Sequence, residues 1–324
     1  MRIKQIVEDI IEKRGKDGID SVVFAACGGS FATLFPAKYI LELNSRTLRV
    51  GHYSSNELLH AKPAYVTDKT IIVSISHNGN TRETIEVAKM AQSIGAVSVT
   101  LTFKPESPLA QAGDYVITYD WDPEYQDQKE SNVVVAMRLA MEILNQFEGY
   151  EYYDEFNDAC NKLTDVIEKA KAVVDKGKYD FAEKYKNSKG IYVLGSGYAA
   201  YSAYAFTICL LLEMQWMNAN AIHSGEFFHG PFEITDKDTD FILLKSAGMT
   251  RPLDQRAQNF LDKYNGKEFI IDAEELGLPE LGEHVHTMFN QIFYAVILRR
   301  YAEALAEVRE HDLGIRRYMW KVEY

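Results

Sequence analysis

The stretch Ser21–Ala26 followed by Cys27-Gly28-Gly29-Ser30, SVVFAACGGS, sets six apolar or small residues directly before a glycine turn. A second stretch, 70–81 (TIIVSISHNGNT), repeats that order with a polar turn around Gly79. Short runs rich in β-branched and aromatic residues, bounded by glycine, read as strands buried on both faces, which belong to parallel sheets covered by helices. A helical pattern follows each turn, over 31–43 and 82–94. Working outward, strands are expected at 48–53, 96–103 and 115–119, with a helix at 131–147. Strands alternating with helices predict an α/β protein with a doubly wound parallel sheet in three αβα layers.

The second half repeats the plan. An aromatic and acidic stretch, 148–156 (EGYEYYDEF), marks a linker, and helices are expected at 154–174 and 179–185. A strand at 190–194 then runs into the turn Gly195-Ser196-Gly197, and strands at 240–245 and 268–271 are followed by helices at 254–264 and 286–307. Strand, glycine turn and helix therefore occur once in each half, which predicts two nested domains of similar topology. The expected organisation is an N-terminal helix at 1–17, a first domain at 18–150, a second at 151–313 and a tail at 314–324. That tail carries Tyr318, Trp320 and Tyr324, so it is expected to pack back onto the body.

Composition narrows the function. The chain has 324 residues, 47% of them hydrophobic, and a formal net charge of −12 with scattered basic residues. Such a field repels nucleic acid, whereas a local ring of backbone N–H groups still binds a small anion. Three cysteines without close spacing, Cys27, Cys160 and Cys209, argue against a disulfide framework and for reduced thiols in a cytoplasmic setting. The N-terminal segment lacks the apolar core of a signal peptide, and no run reaches the roughly twenty apolar residues of a membrane span.

Two regions carry candidate chemistry. In Ser76-His77-Asn78-Gly79-Asn80-Thr81, hydroxyl and amide side chains stand at the start of a helix, and Gly29-Ser30 does the same after the first strand. Side-chain donors beside unpaired helix N–H groups can hold a phosphate without a lysine, although the same residues also serve as helix caps. Neither turn matches GxGxxG or GxxxxGK[ST], so a dinucleotide or nucleoside triphosphate is not indicated. The other region, 210–233 (LLLEMQWMNANAIHSGEFFHGPFE), places Glu213 among Leu211, Leu212, Met214 and Trp216, with His229 sixteen residues on. Desolvation would raise the pKa of such a carboxyl, and an imidazole titrates near neutrality, so the two form a plausible proton-moving pair. The alternative is that Glu213 is the polar face of a helix and His229 a turn residue. Glu226, in the same turn, is expected to hold the loop by accepting backbone N–H bonds. Arg251 and Arg256 read as a solvated helix face, and His223, His284 and His286 lack the spacing of a three-ligand metal site.

The motifs CGGS, SISHNGNT and GEFFHGP resemble those of the sugar isomerase (SIS) domains, which stand in tandem in the isomerase half of glucosamine-6-phosphate synthase. The resemblance covers nearly the whole chain, and with the terminal RRYMWKVEY it looks like the fructosamine 6-phosphate deglycase group. It implies that Gly29, Ser30, Ser76, His77, Asn78 and Thr81 grip a sugar phosphate and that Ser131 touches the sugar. Where the synthase has Ser-Gln-Ser, this chain has Ser76-His77-Asn78, so redistributed phosphate contacts are expected. The synthase's base precedes the histidine of its HGP motif by sixteen residues, an interval kept by Glu213 and His229. Its tail lysine follows an arginine by four, as Lys321 follows Arg317. The resemblance further implies a homodimer with shared sites, and the proton transfers and hydration it entails need no metal and no organic cofactor. The expected substrate is a fructosamine 6-phosphate, cleaved to glucose 6-phosphate and an amine. The synthase's amidotransferase domain is not expected, because residues 1–17 leave no room for it. A ketose/aldose phosphosugar isomerase and a non-catalytic phosphosugar-binding regulator are the alternatives.

Overall fold

The structure is a computed structural model that describes residues 3–121 and 127–323. Met1 and Arg2 of the expected N-terminal helix and Tyr324 of the expected tail lie outside the described residues. The chain divides into two compact units, Met1–Thr164 and Asp165–Tyr324.

The first unit runs α1 (Ile3–Arg14), β1 (Ser21–Ala26), α2 (Gly28–Asn44), β2 (Arg49–Ser54), α3 (Ser55–His60), β3 (Thr70–Ile75) and α4 (Arg82–Ser93). It continues with β4 (Val97–Thr102), α5 (Pro108–Gln111), β5 (Tyr115–Thr118) and α6 (Asn132–Glu148). Its five strands are parallel in the order β2-β1-β3-β4-β5. Every residue of β1, β3 and β4 is buried, as their near-continuous apolar runs require in a sheet covered on both faces. The register sets Val23 beside Ile72 and Val73 beside Val99, and Leu58, Val66, Val87 and Ala91 pack onto Val23, Ala25 and Ile72.

Helix α7 (Tyr153–Val174) carries the chain into the second unit. There follow α8 (Lys178–Tyr185), β6 (Ile191–Gly195), α9 (Ala200–Ala205), a π-helix at Phe206–Met214, β7 (Ala219–His223), β8 (Asp240–Lys245), α10 (Arg251–Tyr264), β9 (Phe269–Asp272) and α11 (Asn290–Val308). The four strands are parallel in the order β7-β6-β8-β9, the order of the first four strands of the other sheet. Sequence reading anticipates three of them and misses β7. That strand lies at the sheet's edge and buries only Ala219, so it lacks the apolar run that announces an interior strand. Helix α11 reaches the sheet through Tyr294. The Tyr294 hydroxyl lies 2.6 Å from the Lys245 carbonyl and 2.9 Å from that of Ile271, at the ends of β8 and β9.

In each sheet the chain leaves the first strand toward one side and returns on the other. The reversal falls between β1 and β3 in the first unit and between β6 and β8 in the second. Open α/β sheets bind ligands at the carboxyl ends of the strands flanking such a reversal.

Candidate active-site elements

The loop after β3 is shaped by Gly79. Its φ is +65°, its N–H donates to the Ser76 carbonyl at 3.0 Å, and a Cβ there would stand 2.0 Å from Ser107 Oγ, so only glycine fits. The turn brings Ser76 Oγ within 2.9 Å of Thr81 Oγ1. Thr81 occupies the cap position of α4, yet its side chain makes no capping bond, so the capping alternative is not what this hydroxyl does. The first N–H groups of a helix have no intrahelical acceptor, and here they stand beside paired hydroxyls, an arrangement suited to a phosphate. The loop after β1 adds a second helix start. Gly28, at φ +58°, opens α2 with no side-chain cap from Cys27, and Gly29 and Ser30 follow in the first turn. Asn78 is exposed and Ser30 half-buried.

His77 has other company. Its ring stacks on Phe103 at 5.3 Å, meets Trp121 edge-on at 5.2 Å, and sets Nδ1 3.2 Å from the Tyr119 hydroxyl. Burial, and secondarily Lys104, pushes its pKa below the usual imidazole value, so at neutral pH the ring is an uncharged wall. Its backbone carbonyl accepts from Phe103 N at 3.0 Å and from the Thr102 hydroxyl at 3.1 Å. Ser131 is buried at the start of α6 and donates its hydroxyl to the Gln128 carbonyl at 2.7 Å, which leaves its lone pairs free to accept.

In the second unit, Glu213 sits in the π-helix, a rare conformation frequent at functional sites. The expectation of a lone carboxyl in apolar surroundings is corrected by its neighbours. Arg316 of the tail donates from Nε to Glu213 Oε1 at 2.8 Å, and its Nη2 lies 2.7 Å from the same oxygen as an ion pair. Leu212 and Trp216 are themselves exposed, so a guanidinium rather than oil defines this carboxylate's surroundings. Burial, with Glu213 second, pushes the thiol of Cys209, one turn back, up to about 11, so it stays protonated and is no nucleophile.

The tail is held at several points. Arg316, itself buried, also donates to the carbonyls of Leu313 and Ile315, and Lys321 Nζ donates to the Arg316 carbonyl. Arg317 lies 3.9 Å over the Trp216 ring, whose other neighbour is the His311 ring at 4.4 Å. Trp216 adopts φ +54°, an uncommon conformation for so large a side chain, immediately after the π-helix. Tyr318 and Trp320 are largely exposed, so the tail is attached through cations and not through the aromatic residues that suggested packing.

His229 lies exposed in the turn before Gly230, its N–H donating to the Glu226 carbonyl at 3.0 Å; no hydrogen bond or ion pair joins it to Glu213 among the described residues. Glu226 shapes that turn with its backbone, and its exposed carboxylate accepts none of the expected N–H bonds among the described residues. Nor is Arg251 a solvated residue. It forms a fork with Asp272 at 2.8 and 2.7 Å and donates to the Ser246 carbonyl, and this leaves it committed to the fold. Arg256 stacks over Phe228 at 4.0 Å.

Sequence reasoning missed two residues. Arg316 stands one place before the arginine to which the family spacing points, and only the folded tail reveals its partner. Asp254 is fully buried at the start of α10 and accepts from Ser246 N at 2.9 Å, Ser246 Oγ at 2.5 Å and Ser224 Oγ at 2.6 Å. Ser246 follows β8 as Ser76 follows β3, so in the second unit a buried carboxylate stands at the position that follows the corresponding strand.

Comparison with known proteins accords with this geometry. Residues 18–146 match the family model described as SIS domain. The chain is 38% identical over 324 residues to fructosamine deglycase FrlB of Bacillus subtilis (strain 168), spanning all of this chain and 98% of that one. It is 23% identical to fructoselysine 6-phosphate deglycase of Escherichia coli (strain K12), over 97% of this chain and 89% of the other. A crystal structure of a candidate phosphosugar isomerase from Salmonella typhimurium LT2 superposes with a TM-score of 0.96 at 42% identity, over 99% of this chain and 96% of that one. The chain belongs to the SIS-domain family, in the branch that includes fructosamine deglycase FrlB.

Proposed function

We propose that this chain is a deglycase that converts a fructosamine 6-phosphate and water to glucose 6-phosphate and a free amine. The observation that carries the reading is Glu213, a carboxylate fixed on a π-helix with Oε1 held by Arg316 and no hydrogen bond to Oε2 among the described residues. Full-length identity to a fructosamine deglycase supports the substrate class.

In this reading the loops with Gly29, Ser30, Ser76, Asn78 and Thr81 hold the phosphate, with His77 as an apolar wall and Ser131 accepting a sugar hydroxyl. His229 assists ring opening. Glu213 removes a proton from C1 of the ketosamine, the C–H electron pair forms the C1–C2 double bond, and the C2 oxygen takes a proton, giving an enaminol. Return of the proton to C2 gives the aldose imine, which water cleaves at C1 to aldehyde and amine. Each step is a proton transfer or a hydration, within reach of general acid–base catalysis. Lys321 braces the tail near the base. The working form is a cytoplasmic homodimer in which the exposed His229 of one subunit completes the site of the other. The domains divide as 18–150 for the phosphate and 151–313 for the base, with 314–324 as the closing tail.

Release of glucose 6-phosphate from fructoselysine 6-phosphate, followed with a coupled dehydrogenase, tests the proposal. Glu213→Gln should lower kcat by about 10²- to 10⁴-fold with the substrate still bound. Tight binding without turnover by the wild-type protein would instead identify a phosphosugar sensor.

A further inference from the structure

We infer that Arg316 is a positioning residue for proton transfer, one that assigns the two oxygens of Glu213 separate roles. The inference rests on the deglycase reading above and deepens it.

Arg316 donates its Nε–H to one carboxylate oxygen, Oε1, and holds Nη2 2.7 Å from that same oxygen, instead of bridging both oxygens in the usual fork. Its remaining nitrogen, Nη1, is spent on the carbonyls of Leu313 and Ile315, at 2.7 and 3.0 Å. Three fixed acceptors around a side chain only 7% exposed leave the guanidinium no second position. Glu213 is thereby tethered through one oxygen, and Oε2 is left as the lone-pair site that receives a proton. Among the described residues no other hydrogen bond or ion pair reaches the carboxylate. The Cys209 thiol is protonated, the Arg317 guanidinium lies on Trp216, and the Lys321 ammonium donates to a backbone carbonyl.

The proposed reaction needs the same oxygen to take a proton from C1 and return it to C2, neighbouring carbons of one substrate. A carboxylate free to rotate would present either oxygen, and errors of about 1 Å in placement cost on the order of 10²-fold in rate. Fixing Oε1 removes that freedom while leaving Oε2 a short path between the two carbons. The tether belongs to the tail, so an ordered tail and a competent base are one condition.

Four variants test the inference. Arg316→Gln should lower kcat about 10- to 100-fold with KM little changed, because the loss concerns transfer and not binding. Arg316→Lys should recover part of that loss, as it restores the charge but not the paired donors. Arg316→Ala should recover activity with added methylguanidinium. Glu213→Gln serves as the control for the underlying reading. If it remains active, the base is elsewhere and the deglycase mechanism itself falls. If it is inactive while Arg316→Gln turns over at the wild-type rate, only the positioning role falls. A loss in Arg316→Gln and Arg316→Ala that neither lysine nor methylguanidinium relieves would also overturn it, as that is the mark of a residue needed only for folding.

Discussion

Asp254 gathers three donors onto one carboxylate. Fully buried, it accepts a backbone N–H and two hydroxyl protons, and each donor would otherwise be desolvated without a partner. Hydrogen bonds to a charged group contribute more than neutral ones, and orphaned buried donors carry their own penalty. Asp254→Ala should therefore destabilise the second unit by about 3 kcal/mol or more, read from urea unfolding. His52 gives a different handle. Burial pushes its imidazole down to about 4, against the opposing pull of its Nε2–H bond to the Phe31 carbonyl at 3.0 Å. The unfolded chain then binds a proton that the folded chain refuses, so stability is present above pH 6.5 and is lost as the pH falls toward about 4. The loss should amount to at most about 3 kcal/mol. Unfolding midpoints measured between pH 7 and 4 should fall more steeply for the wild-type protein than for His52→Gln.

Among the elements, those that were legible in the sequence share one property. Strands β1, β3 and β8 are interior, apolar and closed by small or polar turns, so burial itself writes the signal. Edge strand β7 carries Asn220 and His223 on open ground and gives no such pattern. The π-helix was equally hidden, because its apolar sequence suits any helix. The residue types of the candidate base and its loop were readable, whereas the partner of Glu213 was not, since ion pairs between distant segments leave no periodicity. The loop after β3 is the element most open to a decisive test. Gly79→Ala must adopt a left-handed φ and displace Ser107, whose hydroxyl caps α5 through Ala110 N at 3.3 Å. Backbone strain alone costs about 1–3 kcal/mol, and the shifted loop should raise KM at least about 10-fold. A substitution that lowers the melting temperature but leaves KM unchanged would mean that this loop does not hold the phosphate.

At the scale of the whole molecule, two sheets of one topology present two reversals, yet their chemistry has diverged. The first reversal has paired hydroxyls, Ser76 and Thr81, beside an uncapped helix start. At the second, Ser196, Ser246 and Thr250 are linked to one another at 3.2–3.4 Å and to Asp254. Gly197 is packed so closely on Thr250 that a Cβ would stand 2.5 Å from its hydroxyl. An entering phosphate would meet a buried carboxylate, and like charges at hydrogen-bond distance repel strongly in a low-dielectric site. The duplicated fold should therefore bind only once. Calorimetric titration with glucose 6-phosphate is expected to give about one site per chain, and the double substitution Ser76→Ala with Thr81→Val should weaken it by ~10-fold or more. Asp254→Asn should leave that site intact, because its contacts lie wholly within the second unit. Two sites per chain, or binding that survives in the Ser76 and Thr81 variant, would show that the second reversal opens to ligands after all, and Asp254 would then be a gate.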